Sequence, residues 1–193
     1  IVPAPAMDEN DEVEMLHTWR ATGTGKHVPA GVIGLMVHKA IELWCFPDDP
    51  RLIPLLESAA LNAGLAGEEQ RVEAVRRARE LLERLKLDPF WETLNSAEER
   101  HHEIPYSRIS SDWAESGYID LLYRIESDWH IVDFKTDSIR SDQEREELTG
   151  NYNRQLQRYQ SAVKSLIGQV AQANICFLDD DGRVRVVETK PYD

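Results

Sequence analysis

The architecture of this chain is decided by the stretch GYIDLLYRIESDWHIVDFKTD, which spans residues 117–137. Its two arms, residues 116–125 and 129–135, are rich in β-branched and aromatic side chains, a composition typical of β-strands. The polar residues 126–128 lie between the arms and predict a tight turn. The stretch therefore predicts two antiparallel strands joined as a hairpin.

This hairpin would bring two carboxylates and one amine together. Asp133 and Lys135 are two residues apart in one strand, so both side chains point to the same face. Folding at the turn brings Asp120 opposite residue 133 or 134, and cross-strand neighbours have Cβ atoms ~5 Å apart. Carboxylates so close repel one another unless a cation lies between them, and Mg²⁺ prefers such oxygen ligands. The pattern favours a phosphodiesterase site in which Lys135 orients or deprotonates a water molecule.

Plainer interpretations of the same residues remain open. A surface salt bridge between Asp133 and Lys135 would need no metal, because Asp-x-Lys is common by chance. His38 lies on the apolar face of a predicted helix, either as a hydrogen-bonded core residue or as a metal ligand. Gln155 and Tyr159 are four residues apart, so both leave one side of a later helix, as partial core or as phosphate contacts.

The elements predicted around the hairpin describe an α/β protein with a mixed sheet rather than a doubly wound nucleotide fold. Residues 1–31 are rich in Pro and Gly and are predicted to be an irregular lead-in, with a short helix over residues 12–20. A polar segment is predicted over residues 136–150, and a hairpin turn over residues 179–182. Helices are predicted over residues 33–46, 52–63, 68–87 and 152–166, and strands over residues 103–109, 116–125, 129–135, 172–178 and 183–188.

The helix over residues 68–87 is amphipathic and is expected to pack one side on the core. The apolar residues of that side are Val72, Val75, Leu82 and Leu85. The charged residues Arg76, Arg77, Arg79 and Glu83 are predicted to form a solvated face.

Composition restricts the classes of protein that the chain can represent. No run approaches ~18 apolar residues, so no membrane-spanning helix is predicted. Cys45 and Cys176 cannot supply a four-cysteine metal site and are expected to be buried thiols in a reducing cytoplasm. The net charge of −13 is unlike that of a nucleic-acid-binding protein, so an isolated domain should hold DNA weakly without divalent cations or a basic partner. The first residue, Ile1, suggests a fragment of a longer polypeptide.

Four motifs, taken in order, resemble the C-terminal nuclease domain of the RecB and AddA helicase–nucleases, and AddA most closely. They are GLMVH at residues 34–38, GYIDLLY at 117–123, IVDFKTD at 131–137 and QLQRY at 155–159. The resemblance covers residues 32 to 190 and implies a PD-(D/E)XK nuclease domain over residues 32–193. The implied fold is a restriction-endonuclease-like core, with a mixed β-sheet flanked by helices and an N-terminal helical elaboration.

The resemblance also implies a metal site. His38, Asp120 and Asp133 would bind Mg²⁺, for which Mn²⁺ can substitute, and the backbone carbonyl of Phe134 would be a further ligand. Glu103 matches an acidic position on the first strand, where a metal-binding role and a structural role are both open.

The remaining matches imply an activity. Lys135 would be the catalytic lysine, and Gln155 and Tyr159 would support the site and contact DNA. The domain would then be a Mg²⁺-dependent deoxyribonuclease, an exonuclease preferring single strands, that processes DNA double-strand ends for recombinational repair. A helicase motor in the same polypeptide and a partner subunit of AddB type would complete the enzyme. A freestanding exonuclease, or a DNA-guiding or structural module with an inactive nuclease fold, is the alternative.

Overall fold

The computed structural model describes residues 28–109 and 114–189. The predicted short helix over residues 12–20 lies outside these ranges, as does most of the predicted lead-in. No helix in the described part of the chain is long and apolar enough to cross a membrane. The elements are α1 (Ala30–Glu42), α2 (Leu52–Asn62), α3 (Glu68–Leu87), α4 (Pro89–Asn95), β1 (Glu99–Ile109), β2 (Ala114–Ile125), β3 (Asp128–Ile139), α5 (Asp142–Ile167), β4 (Gln172–Asp180) and β5 (Arg183–Glu188).

The five strands form one mixed sheet in the order β1-β2-β3-β4-β5. Neighbouring strands are antiparallel except for β3 and β4, which run parallel. A parallel pair needs a long crossover connection, and α5 supplies it. The predicted α/β class, with a mixed sheet flanked by helices and a helical N-terminal part, is confirmed.

Each face of the sheet is covered by a different set of helices. Val132 and Phe134 pack with residues of α1, α2 and α3, whereas Ile131 and Ile139 pack with residues of α5. Strand β3 is therefore buried on both faces along its middle. A strand between two layers needs apolar residues at consecutive positions, which explains why Ile131 and Val132 stand side by side.

Three helices differ from the predictions: one in its packing, one in its length and one because it was not predicted. Helix α3 has the predicted bounds, but Val72 is 65% exposed instead of buried, and small residues such as Ala74 and Ala78 face the core. Helix α1 ends at Glu42 rather than at residue 46, because the chain turns at Trp44, whose φ is +48°. Helix α4 was not predicted from the sequence, although Asp88 caps it by accepting a hydrogen bond from the Phe90 N–H.

The polar residues 136–150 belong mostly to the two neighbouring elements, so the predicted end of the strand at 135 and the predicted start of the helix at 152 are wrong. Strand β3 continues to Ile139 because it stays paired with β4 through a register shift after Lys135. Helix α5 then begins at Asp142, where Ser141 accepts a hydrogen bond from the Glu144 N–H. The turn predicted over residues 179–182 contracts to Asp181 and Gly182, both of which have positive φ.

Candidate active site

The central feature of the site is a fork between β2 and β3. The two strands pair from Ile125 and Asp128 as far as Leu121 and Val132, and their ladder stops there. Beyond that point β2 pairs only with β1, and β3 only with β4. At the fork the Phe134 N–H donates to Asp120 Oδ2 over 2.8 Å, so a side-chain carboxylate replaces the missing main-chain acceptor.

A second irregularity lies beside the fork, between β1 and β2. The ladder skips Glu103, whose φ of +47° is in the left-handed region that non-glycine residues rarely adopt. Ile119 packs in the core beneath α5, whereas Leu121 packs in the core beneath α1 to α3. Residues two apart normally share a face, so strand alternation breaks at Asp120. Local strain of this kind is concentrated at functional sites.

Three potential ligands meet at these irregularities. Ligand atoms of His38, Glu103 and Asp120 all lie within 4.8 Å of one another, and His38 Nδ1 is 3.4 Å from Asp120 Oδ2. Asp133 lies outside this group and forms an ion pair with Lys135 instead. Glu103, whose role the sequence left open, therefore belongs to the same group of potential ligands as His38 and Asp120.

The residues present fit a divalent metal ion. Asp133 is 1% exposed, and its Oδ2 accepts no hydrogen bond of good geometry, although Lys135 Nζ lies 2.9 Å away. The Lys135 ammonium offsets only part of the cost of burying this carboxylate, because burial and the charge of Asp120 still raise the pKa of Asp133, so a divalent cation would stabilise the charged form. His38, Glu103 and Asp120 offer one imidazole and two carboxylates, a donor set that fits a divalent metal ion, with the Asp133 carboxylate nearby.

The charges of these groups are strongly coupled. Burial, together with the charge of Asp120, raises the pKa of Glu103 to about 7. Burial also raises the pKa of Asp133, and the ion pair with Lys135 only partly opposes this. Asp120 is buried as well, but His38 and Lys135 outweigh that effect and lower its pKa. Burial alone would lower the pKa of His38, yet Asp120 raises it to about 9. The metal-free site therefore holds protons that a divalent cation can replace.

Lys135 is held by three neighbours. Its Nζ lies 2.9 Å from Asp133 Oδ2, donates to Gln155 Oε1 over 3.1 Å and sits 4.1 Å from the centroid of the Tyr152 ring. Burial tends to lower the pKa of this amine, but Asp133 and Asp120 raise it above its ordinary value. The amine is therefore a protonated donor, which favours orienting a water molecule or neutralising a phosphate over deprotonating water.

Helix α5 supplies the residues that hold the lysine. Gln155 Nε2 donates to the Tyr159 hydroxyl over 2.6 Å, so the two predicted residues lie next to each other and reach the site through Lys135. Tyr152 was predicted only as a position of that helix; its hydroxyl donates to Asp137 Oδ2 over 3.0 Å. Its spacing of three residues before Gln155 placed both on one helical face, and that spacing was the available signal.

Gly34 explains how α1 delivers His38 to the sheet. A Cβ at this position would lie 3.2 Å from Thr136 Oγ1, closer than most side-chain contacts. The glycine therefore lets α1 approach β3 of this same chain, one helical turn before His38. The neighbour that this glycine accommodates is the side chain of Thr136.

The arrangement has a definite chemical capacity. His38, Glu103 and Asp120 would hold a divalent metal ion, which would supply Lewis-acid chemistry toward a phosphoryl oxygen and a water molecule. The Lys135 ammonium lies beside Asp133, where it can neutralise charge that develops on an attacked phosphate. The Phe134 N–H keeps Asp120 oriented toward His38.

Comparisons with known proteins show the family and the fold of this chain. The family model of the PD-(D/E)XK nuclease superfamily matches residues 14–193. A crystal structure of an inferred exonuclease from Eubacterium rectale is similar, with a TM-score of 0.60 and 16% identity, over 92% of this chain and 64% of that one. A protein from Vibrio cholerae matches with a TM-score of 0.32 and 14% identity, over 89% of this chain and 47% of that one.

These relatives set the scope of the comparison. The chain spans less than two thirds of the length of either structure, and at such low identity the Eubacterium rectale likeness shows the fold alone. No curated protein matches the chain. The family model, which covers most of the sequence, shows that this chain belongs to the PD-(D/E)XK nuclease superfamily.

Proposed function

We propose that this chain is a metal-dependent deoxyribonuclease that hydrolyses phosphodiester bonds at the fork between β2 and β3. One observation carries the proposal: His38, Glu103 and Asp120 converge within 4.8 Å beside the buried Asp133–Lys135 pair. A surface salt bridge would not explain this, because Asp133 is 1% exposed and is crowded by further carboxylates. Mg²⁺ is the proposed metal, with Mn²⁺ as a substitute.

In this proposal the residues divide into ligands and a catalytic amine. His38, Asp120 and Asp133 bind the metal together with the backbone carbonyl of Phe134, and Glu103 is added to this set. Each of these carboxyl groups has an environment in which a divalent cation relieves repulsion or replaces a proton.

The catalytic amine is Lys135, which binds the attacked phosphate. Gln155 and Tyr159 hold Lys135 in place from α5, and Gln155 supports the site through its hydrogen bond to the lysine. This role follows the resemblance, in which the same helix also contacts DNA.

We further propose that the domain, over residues 32–193 after a lead-in at residues 1–31, is the nuclease part of a RecB- or AddA-type helicase–nuclease in recombinational repair. Four motifs in the family's order support this. The net charge of −13 also favours it, because a helicase motor in the same polypeptide or an AddB-type partner would supply the cationic surface that DNA requires. Cys45 and Cys176 are both buried free thiols, which suits a cytoplasmic protein.

Exonuclease action on single strands is the proposed mode. The similar protein from Eubacterium rectale is named as an exonuclease by inference. A DNA-guiding module with an inactive site is the rival function, and it predicts DNA binding without cleavage under every metal condition.

A cleavage assay tests the proposal. Single- and double-stranded DNA, labelled at either end, is incubated with the unmodified chain or Lys135→Ala, in Mg²⁺, Mn²⁺ or EDTA. Cleavage is expected with either metal, and it should fall by ~10²–10³-fold in Lys135→Ala because a donor to the developing charge is lost. Lys164→Ala, at an exposed position of α5, is the control and should cleave normally. Full activity in Lys135→Ala would refute the site assignment.

A further inference from the structure

A cavity of about 390 Å³ extends the candidate active site along helix α3. His38 and Lys135 line it, and so do Arg77 and Arg84 of α3. The first turn of α1 and the end of β3 complete its walls. The cavity therefore connects His38 and Lys135 with two arginines. The sequence predicted that Arg77 belongs to a solvated face, and it assigned no role to Arg84.

Arg77 and Arg84 lie on the same face of α3. They are seven residues apart, which is about two helical turns and ~10 Å along the axis. Each nucleotide of a strand in B-form geometry advances about 3.4 Å along the axis, so the spacing covers roughly three phosphates. Arg79 belongs to the same helix and is exposed, but it does not line the cavity.

The cavity is less acidic than the chain as a whole. It is lined by three permanent cations and three carboxylates, whereas the chain has 22 basic and 35 acidic residues. Each lining carboxylate accepts a hydrogen bond from a neighbour. The lining carboxylates are Glu80, Asp137 and Asp179.

The arginines retain donors that these carboxylates do not use. Within the described ranges the Arg77 side chain is exposed, and its interaction is with the charge of Glu73, whose closer partner is Arg76. Arg84 donates to Asp179 over 2.7 Å, but Arg140 also donates to Asp179, so two guanidinium groups share one carboxylate. Ser138 also donates to this carboxylate over 2.6 Å, so its acceptor capacity is divided among three donors, while Asp181 and Glu144 add negative charge near Arg140. Guanidinium groups with unused N–H donors bind phosphate well.

We propose that Arg77 and Arg84 bind backbone phosphates of the nucleic-acid strand that flank the phosphate at Lys135. This inference rests on the proposed function and names the strand-binding surface of that same site. Phosphate contacts position a strand without reading its sequence, so the surface confers affinity and register rather than base preference. It also places two arginines of an acidic chain beside the candidate metal site.

Binding measurements test the surface directly. A fluorescent single-stranded oligonucleotide is titrated with Lys135→Ala protein in Ca²⁺, so that no cleavage occurs, at several salt concentrations. Adding Arg77→Ala should raise Kd several-fold and reduce the slope of log K against log salt by ~0.7, the value for one phosphate contact to a single strand. Adding Arg79→Ala, the matched control, should change neither quantity. Equal behaviour of the Arg77 and Arg79 variants would overturn the proposal.

Neutralising the shared carboxylate separates strand binding by Arg84 from a purely structural role in holding α3. Asp179→Asn removes the carboxylate that Arg84 and Arg140 share, so both guanidinium groups gain free donors. If Arg84 binds phosphate, this variant should bind DNA more tightly even though its Tm falls. Unchanged or weaker binding by the folded variant would show that Arg84 only braces the helix, and would overturn its part.

The outcomes distinguish this inference from the proposed function. DNA that binds through Arg77 but is never cleaved by the unmodified chain contradicts the nuclease and leaves the strand surface standing. If the unmodified chain cleaves DNA but the Arg77→Ala and Arg79→Ala variants bind DNA equally well, the nuclease stands and the strand surface is contradicted. Absence of both binding and cleavage by the unmodified chain overturns both.

Discussion

The two halves of the β2–β3 hairpin have opposite characters. The paired half, residues 121–125 and 128–132, has a regular antiparallel register and apolar side chains packed on both faces. The forked half, residues 114–120 and 133–139, has no ladder between its strands and holds Asp120, Asp133 and Lys135. In the paired half main-chain hydrogen bonds satisfy the backbone, and in the forked half a carboxylate takes over part of that role.

The difference shows how one hairpin separates stability from chemistry. Where the two strands part, their polar groups are not used in a ladder and space opens between the strands. A metal and a phosphate need such free polar groups and such space. Strands that stay paired provide the rigid base that holds the parted ends in place. Substitutions in the paired half should therefore affect mainly stability, and those in the forked half mainly activity.

The largest expected effect is at the fork. Asp120→Ala should reduce cleavage by at least ~10³-fold, because it removes a proposed metal ligand and leaves His38 without its carboxylate. The Tm should fall, because the buried Phe134 N–H loses its acceptor, but the paired half of the hairpin should keep the protein folded. Cleavage rate and Tm, measured on the same preparation, check both parts. An Asp120→Ala protein with normal cleavage contradicts the division of the hairpin.

The next residue provides the matched change in the paired half. Leu121 is fully buried, and Leu121→Ala should lower the free energy of unfolding by ~2–5 kcal/mol through lost burial and a residual cavity. Denaturant unfolding measures this loss. The cleavage rate per folded molecule should stay close to that of the unmodified chain. A loss of activity without a loss of stability would contradict the assignment of the paired half to stability.

A smaller effect concerns the pH dependence of metal binding. Glu103 has a pKa of about 7 in the metal-free site, so below pH 7 it is protonated and must release that proton when metal binds. Below pH 7 the release of this proton should therefore lower Mn²⁺ affinity by up to ~10-fold per pH unit, in addition to the effect of the proton released by His38. Calorimetry in buffers of different ionisation enthalpy measures the released proton.

Glu103→Gln isolates this contribution. The variant should bind Mn²⁺ more weakly at pH 8 and show a flatter dependence between pH 6 and 8. His38, with a pKa of about 9, should still contribute proton release at both pH values. An unchanged pH profile in Glu103→Gln would remove Glu103 from the metal site.

The smallest expected effect is at the residue that packs against the lysine. Tyr152→Leu removes the ring 4.1 Å from Lys135 Nζ and should lower kcat by ~3- to 10-fold, in keeping with a cation–π contribution of about 1 kcal/mol. Tyr152→Phe keeps the ring and loses only the hydrogen bond to Asp137, so its effect should be smaller. Equal losses in both variants would assign the role to the hydroxyl instead of the ring.

Sequence reasoning succeeded where local patterns determine structure. The hairpin turn, the bounds of α3 and the order of the elements follow from turn residues and apolar periodicity, and the structure has them. It was wrong for residues 136–139, because polar residues extend β3 only through pairing with β4. It was also wrong for Val72, because α3 packs through alanines whose small size no periodicity of large apolar residues reveals.

By itself the sequence determined which residue types could meet: an acid on one strand, an acid and a lysine two apart on the next, and a histidine on a helix. Only the tertiary structure decided that β2 and β3 part at Asp120, that Glu103 joins His38 while Asp133 joins Lys135, and that Arg77 lies on the cavity. The physical reason is that strand alternation and helical period are properties of neighbours along the chain. A fork, a bulge and a shared cavity arise from packing between distant segments.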